Sequence, residues 1–253
     1  LILILNLKKF KNIFLLSVVI ISLLLVLLAG ERTALFNFLF FIIIFIFLGK
    51  YKINQLKPFF YLSIILISLF FIFEVLVLER TSTQSSKYRF INLTSDQLFS
   101  KTLNGKKLNF YSETHENLAI TSINIWYENF LFGSGPKTFR EECSEDRILL
   151  IKRNQLCASH PHNIFFQLLS ETGLIGILFY LLFISVVLKD LFKLIQQKSS
   201  INSNLYNFKL CIIIAIFISI IPFIPGPNFY GNYINILFYL PMGFYMYYFY
   251  KIK

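Results

Sequence analysis

Acidic residues are scarce in this chain: 13 among 253, against 24 lysines and arginines. The long apolar runs contain one of them, Glu74, near the outer end of its run. Transporters and flippases generally carry ionisable groups within their spans for coupling, so this scarcity argues against that class. Histidines and cysteines number three each. The cysteine pair of the long loop is read as a disulfide rather than as part of a metal site with its two neighbouring histidines, and no Asp-x-Asp pair is present to hold a divalent ion. The Gly-Lys-Ser/Thr ending of a P-loop is also missing. No small-residue cleavage site follows the first apolar run, which sets aside a cleavable signal peptide.

What the chain does have is hydrophobic length. Apolar residues make up 56% of it and mean hydropathy is +0.66, which places it in the membrane class. Six spans can be drawn, at residues 13–29, 33–48, 58–78, 173–188, 208–224 and 234–250. Each is close to the roughly 20 residues that cross a hydrocarbon core. The net charge of +11 does not point to nucleic acid. Lys8, Lys9, Lys11, Lys50, Lys52, Lys57, Lys189, Lys193, Lys198, Lys209, Lys251 and Lys253 flank the spans, and residues 79–161 are nearly neutral. Placing the lysine-bearing loops in the cytoplasm closes the alternation and leaves Arg32 alone on a short outer turn. The expected fold is all-α: a polytopic helical membrane protein with about six transmembrane helices and one large extracytoplasmic helical loop. Residues 1–78 supply three helices, 79–172 the loop and 173–253 three more.

Within the loop, Asn104-Gly105 is a turn signal. Ile120, Ile123, Ile125, Trp126 and Phe130 have the spacing of an amphipathic helix lying on the membrane or on the spans. That helix ends at Gly133-Ser134-Gly135-Pro136, and Pro136 suits the start of a new helix from Lys137 to Glu142. Free N–H groups there, beside Lys137 and Arg140, would suit an anion. Most such turns only turn the chain. Cys143 and Cys157 fall on the outer side, and a disulfide between them is expected. It would contribute about 3 kcal/mol and tether Arg140 near His160 and His162. Cys211, inside a span, is read as packing, and His115 as a solvated loop residue.

The richest stretch runs from Cys157 to Gly176. Its apolar run is too long for one span, and Gly173 divides it. Before that glycine, Asn163, Gln167, Ser170 and Glu171 form one stripe of a short amphipathic helix from about residue 161 to 172, with His162 at its start. His162-Asn163, Gln167, Glu171, Gly173 and Gly176, together with residues 133–140, resemble the signature of the O-antigen ligase and polymerase superfamily. Those bacterial membrane glycosyltransferases take sugar chains from a polyprenyl-diphosphate carrier. The chain begins at Leu1 rather than methionine and the family usually carries more spans, so an N-terminally truncated member is expected.

The resemblance implies His162 as general base. An imidazole can accept a proton near neutral pH. It also implies that Arg32 binds carrier diphosphate, where the arginine fork grips phosphate oxygens in pairs. The other reading of Arg32 is a snorkelling side chain paired with Glu31. Arg140, with Lys137, would take another side of the diphosphate. His160 and Asn163 are supporting neighbours, and Glu171 either supports the histidine helix or marks its wet face. Residues 32, 140 and 162 are thus expected in one pocket at the outer boundary of the inner (cytoplasmic) membrane, with the loop in the periplasm. Neither metal nor cofactor is expected. The donor would be a polyprenyl-diphosphate-linked glycan, and the acceptor lipid A-core or, for a polymerase, another carrier-linked repeat. A non-catalytic membrane assembly factor is the remaining rival, and it predicts that His162 is replaceable.

Overall fold

A computed structural model describes residues 11–51, 61, 64–65, 68–69, 72, 99–102, 105–108, 111–144, 156–222 and 224–251. In chain order its elements are α1 (Lys11–Ala29), α2 (Arg32–Leu48), β1 (Phe99–Thr102), β2 (Gly105–Leu108), α3 (Glu113–Glu128), α4 (Phe139–Glu142), α5 (Ile164–Gln196), α6 (Ser203–Ile220) and α7 (Asn232–Met246), followed by a π-helical turn, Tyr247–Lys251. The fold is helical as expected, with one addition: β1 and β2 form an antiparallel hairpin closing at Thr102 and Gly105, beside the Asn104-Gly105 turn signal. The chain divides into two units, one of Leu1–Phe110 with Gln197–Cys211, the other of Tyr111–Gln196 with Ile212–Lys253.

In the first unit α1 ends at Gly30, which adopts a left-handed φ of 65°, and α2 starts two residues later at Arg32. Both helices are apolar on every face, with Ile21, Leu25, Leu28, Phe36, Leu39 and Phe47 exposed. A helix greasy all round belongs in a core or a bilayer. Beyond α2, the backbone of Lys50 is gripped by the side chain of Asn207, whose Oδ1 accepts from Lys50 N–H at 2.7 Å and whose Nδ2 donates to its carbonyl at 3.0 Å. Lys50 Nζ donates to the Ile201 carbonyl at 2.9 Å, so this loop lysine also satisfies backbone. Of the third expected span, residues 61, 64, 65, 68, 69 and 72 are helical and exposed. The rest, Glu74 included, lies outside the described residues.

α5, in the second unit, and α6, whose residues are divided between the two units, are long and apolar enough to cross a membrane. Gly173 has φ 63° and ψ −160° and breaks α5 into residues 164–172 and 174–196, the division expected from sequence. The second part runs past residue 188, the expected end of its span, to Gln196. Lys189 is exposed, but Asp190 is buried, and its Oδ2 accepts from the hydroxyls of Tyr245 at 2.6 Å and Tyr250 at 2.8 Å. The wider π turn brings those tyrosines, five residues apart, onto one face. A carboxylate inside the helical body was not expected outside Glu74. Hydropathy ends the span there because it cannot see the distant hydroxyls that satisfy Asp190.

The α3 helix begins at Glu113, capped by Ser112, five residues before the expected start at Leu118. Its buried face is also different. Leu118, Ala119, Thr121, Ser122, Asn124 and Ile125 are buried, while Ile120, Ile123 and Trp126 are half-buried and Phe130 is exposed. Thr121 and Ser122 return their hydroxyls to carbonyls one turn back, each at 2.9 Å. That satisfies them within the helix and leaves a small-residue face for close packing on α5.

Candidate functional site

The polar stripe of residues 163–171 is not a wet face. Asn163, Gln167, Ser170 and Glu171 are all buried, at 0–3% exposure: Asn163, Gln167 and Glu171 hold backbone from another segment, and the Ser170 hydroxyl returns to the carbonyls of Phe166 and Gln167 in its own helix. Asn163 caps α5: its Oδ1 accepts from Phe166 N–H at 3.2 Å, so the helix starts at Ile164 rather than near Pro161. Its Nδ2 donates to the Ile224 carbonyl at 3.0 Å. Gln167 Oε1 accepts from Phe229 N–H, and Nε2 donates to Asn228 Oδ1, both at 2.9 Å. The same Nε2 donates to Glu171 Oε2 at 3.3 Å.

Glu171 answers the question raised by the glycine turn. Its Oε1 accepts from Phe139 N–H at 3.1 Å, and the carboxyl also takes the N–H of Lys137. The N–H groups expected to await an external anion are therefore occupied by the protein's own carboxyl group. The α4 helix begins at Phe139, and Lys137 stands before it with φ 67°. A correction follows: this turn is a structural joint, and its backbone donors are spent.

The joint is completed at the break in α5. A broken helix leaves N–H and carbonyl groups without intrahelical partners. Here Leu174 and Ile175 donate to the carbonyls of Phe130 and Leu131 at 3.0 and 3.2 Å, and the carbonyls of Ser170 and Glu171 accept from Ser134 and Gly135 at 2.9 and 3.0 Å. Such closeness requires glycine twice. A Cβ on Gly173 would come within 2.5 Å of Gly133 N and Leu131 O, and one on Gly133 would strike the backbone of Glu171 and Thr172.

At the head of this scaffold the three histidines gather. His162 is exposed and has a left-handed φ of 52°, a conformation that costs a residue with a Cβ about 1–3 kcal/mol. Its carbonyl accepts from Gly226 N–H at 2.8 Å, which fixes that conformation. The rings of His160 and His162 lie 4.1 Å apart between centroids, and His115 stands edge-on to His162 at 6.2 Å. Burial, and then the proximity of His162, lower the pKa of His160 from 6.5 to about 4, so that ring is neutral at pH 7. Its Nδ1 lies 3.0 Å from Ser159 Oγ, and its buried Nε2 has no hydrogen-bond partner among the described residues. His115 is not the idle loop residue expected: it sits in the first turn of α3, Nδ1 2.6 Å from Ser112 Oγ. The signal was present in Ser112 followed by Glu113 and Glu116, a helix-start pattern. Among the described residues no three His, Cys, Asp or Glu side chains are arranged to hold a metal ion.

Arg140 and Lys137 are exposed and belong to the same unit as His162. Cys143 and Cys157 are bonded, with Cα atoms 5.3 Å apart, and their sulfurs lie 3.3 and 3.6 Å from the Arg140 carbonyl. Cys143 packs with Leu118, Ile125 and Phe139 in a small core. Arg32, the first residue of α2, belongs to the other unit. The sequence reading also missed residues 224–230, where Pro225, Gly226, Pro227 and Asn228 form a turn-forming cluster that gives no local hint of its partners.

No curated protein and no solved structure matches the chain. A family model described as O-antigen ligase matches residues 17–181, a region that contains α2, the glycine joint, the three histidines and the buried stripe. The chain belongs to the O-antigen ligase family of membrane glycosyltransferases.

Proposed function

We propose that this protein transfers a glycan from a polyprenyl-diphosphate carrier to an acceptor hydroxyl on lipid A-core, at the outer boundary of the bacterial inner membrane. His162 is the general base. The observation that carries this reading is an exposed imidazole held in a left-handed backbone conformation at the head of a buried hydrogen-bonded helix. Rigid presentation of that kind is what a proton acceptor needs.

In the proposed reaction His162 takes the acceptor hydroxyl proton as the oxygen attacks the anomeric carbon. The bond from that carbon to the diphosphate breaks, and the electron pair leaves with the carrier. Inversion at the sugar follows from the resemblance. Charge grows on the leaving diphosphate, and Arg140 and Lys137 offset it, with Arg32 assigned the same task. The divalent ion that often does this work is not required in the scheme. In this reading the chain crosses the membrane six times, and the segment 79–172 is periplasmic, between two sets of three helices.

Surface polysaccharide from a deletion strain, run on a gel, tests the reading. Loss of capped long chains with carrier-linked polymer retained is the expected result. Single-repeat products would assign a polymerase instead, and an unchanged pattern would contradict both.

A further inference from the structure

The loop at residues 224–230 lies outside the stretch matched by the family model, yet it makes four hydrogen bonds to the segment from His162 to Gln167. Gly226 stands between Pro225 and Pro227. Proline has no N–H, so Gly226 carries the only backbone donor of that triplet, and it is spent on the His162 carbonyl at 2.8 Å. That is the bond holding His162 in its left-handed conformation. Space does not require the glycine, since an added Cβ would meet only the Ile224 carbonyl at 3.8 Å.

Asn228 fixes the loop. Its Oδ1 accepts from Tyr230 N–H two residues on, at 2.9 Å, and from Gln167 Nε2 at 2.9 Å. The first bond closes an Asx turn; the second binds that turn to the histidine helix one turn below His162. Gln167 Oε1 takes Phe229 N–H in return. One side-chain oxygen thus sets the loop, and the loop sets the carbonyl of His162.

We infer that Asn228 is a positioning residue for His162, acting through residues 224–230 and their bond to the His162 carbonyl. The inference rests on the proposed role of His162 and adds a determinant from the far side of α6. Because Oδ1 works only as an acceptor, Asn228→Asp and Asn228→Ser keep an oxygen in that place, whereas Asn228→Leu and the smaller Asn228→Ala do not.

The test uses the full chain in lipid nanodiscs, with the carrier-linked glycan as donor. Misplacing a reacting group by about 1 Å can cost about 10²-fold. Asn228→Leu is therefore expected to lower kcat by tenfold to about a hundredfold, with donor KM within about twofold, and Asn228→Asp or Asn228→Ser to restore it. Asn228→Ala takes its place if Asn228→Leu fails to fold. Diethyl pyrocarbonate acylation of His162, measured against His115 in the same sample, supplies a readout independent of transfer. It is expected to shift in the apolar variants alone. Wild-type kcat and wild-type His162 acylation in a folded apolar variant would overturn the inference, as would failure of both oxygen-bearing variants to restore them. Full activity in His162→Ala would reject the general-base assignment, and the acylation ratio would then decide the positioning claim alone.

Discussion

The two parts of α5 differ in what surrounds them. In residues 164–172 the polar side chains are inside: Gln167, Ser170 and Glu171 are at most 1% exposed, with Gln167 and Glu171 hydrogen-bonded to other segments and Ser170 to carbonyls of its own helix. In residues 174–196 one apolar face is outside, with Leu178, Phe179, Leu182 and Phe192 exposed by 56–72%, while Ile177, Tyr180, Val187 and Leu194 are buried. A water-soluble amphipathic helix would arrange both the other way. Where lipid is the solvent, exposed leucine and phenylalanine cost nothing, and polar groups must find partners within the protein. The first part therefore works as a clamp on irregular backbone, and the second has the length and apolar surface to cross a membrane. Gly173 is the boundary between the two regimes.

The comparison is broken most severely at that boundary. Gly173→Ala places a Cβ against Gly133 N and the Leu131 carbonyl at a residue with φ 63°. The left-handed conformation costs about 1–2 kcal/mol, and the backbone collision adds to it. Loss of folded yield, read by size-exclusion chromatography in detergent, is the expected outcome. Glu171→Ala comes next. It leaves the buried N–H group of Phe139 without its acceptor, at about 1–3 kcal/mol, and a drop in thermal midpoint measures it.

On the other side of the boundary, Phe179→Ala removes a ring 72% exposed and should change stability by no more than about 0.5 kcal/mol in the same melting assay. A loss as large as that of Glu171→Ala would mean that both parts of α5 are packed alike. The effect that depends on pH concerns His160. Its folded-state pKa of about 4 lies below the ordinary 6.5, so the unfolded chain binds a proton that the folded chain refuses. Its neutral ring favours the fold above pH 6.5, and that contribution is lost as pH falls toward 4. The stability of His160→Asn, followed by melting across this range, should fall less steeply than wild type.

Much of this site can be read along the chain. Asn163, Gln167, Ser170 and Glu171 announce one helical face by spacing, and Gly173 announces the break. The side on which that face lies cannot be read, because spacing is the same for a wet stripe and a buried one. Asp190 shows the same limit: charge suggested the end of a span, and the hydroxyls that permit its burial come 55 and 60 residues later. His115 and Asn228 were missed for a related reason. Each is an ordinary polar residue locally, and its neighbours at His162 and Gln167 are supplied by folding.

The most direct test of the central claim is transfer by purified wild type and His162→Ala in nanodiscs, with carrier-linked glycan and acceptor supplied. Loss of a general base costs about 10²–10⁴-fold, so the variant is predicted to transfer at background while its melting curve matches wild type. A folded His162→Ala protein that transfers at the wild-type rate would contradict the account.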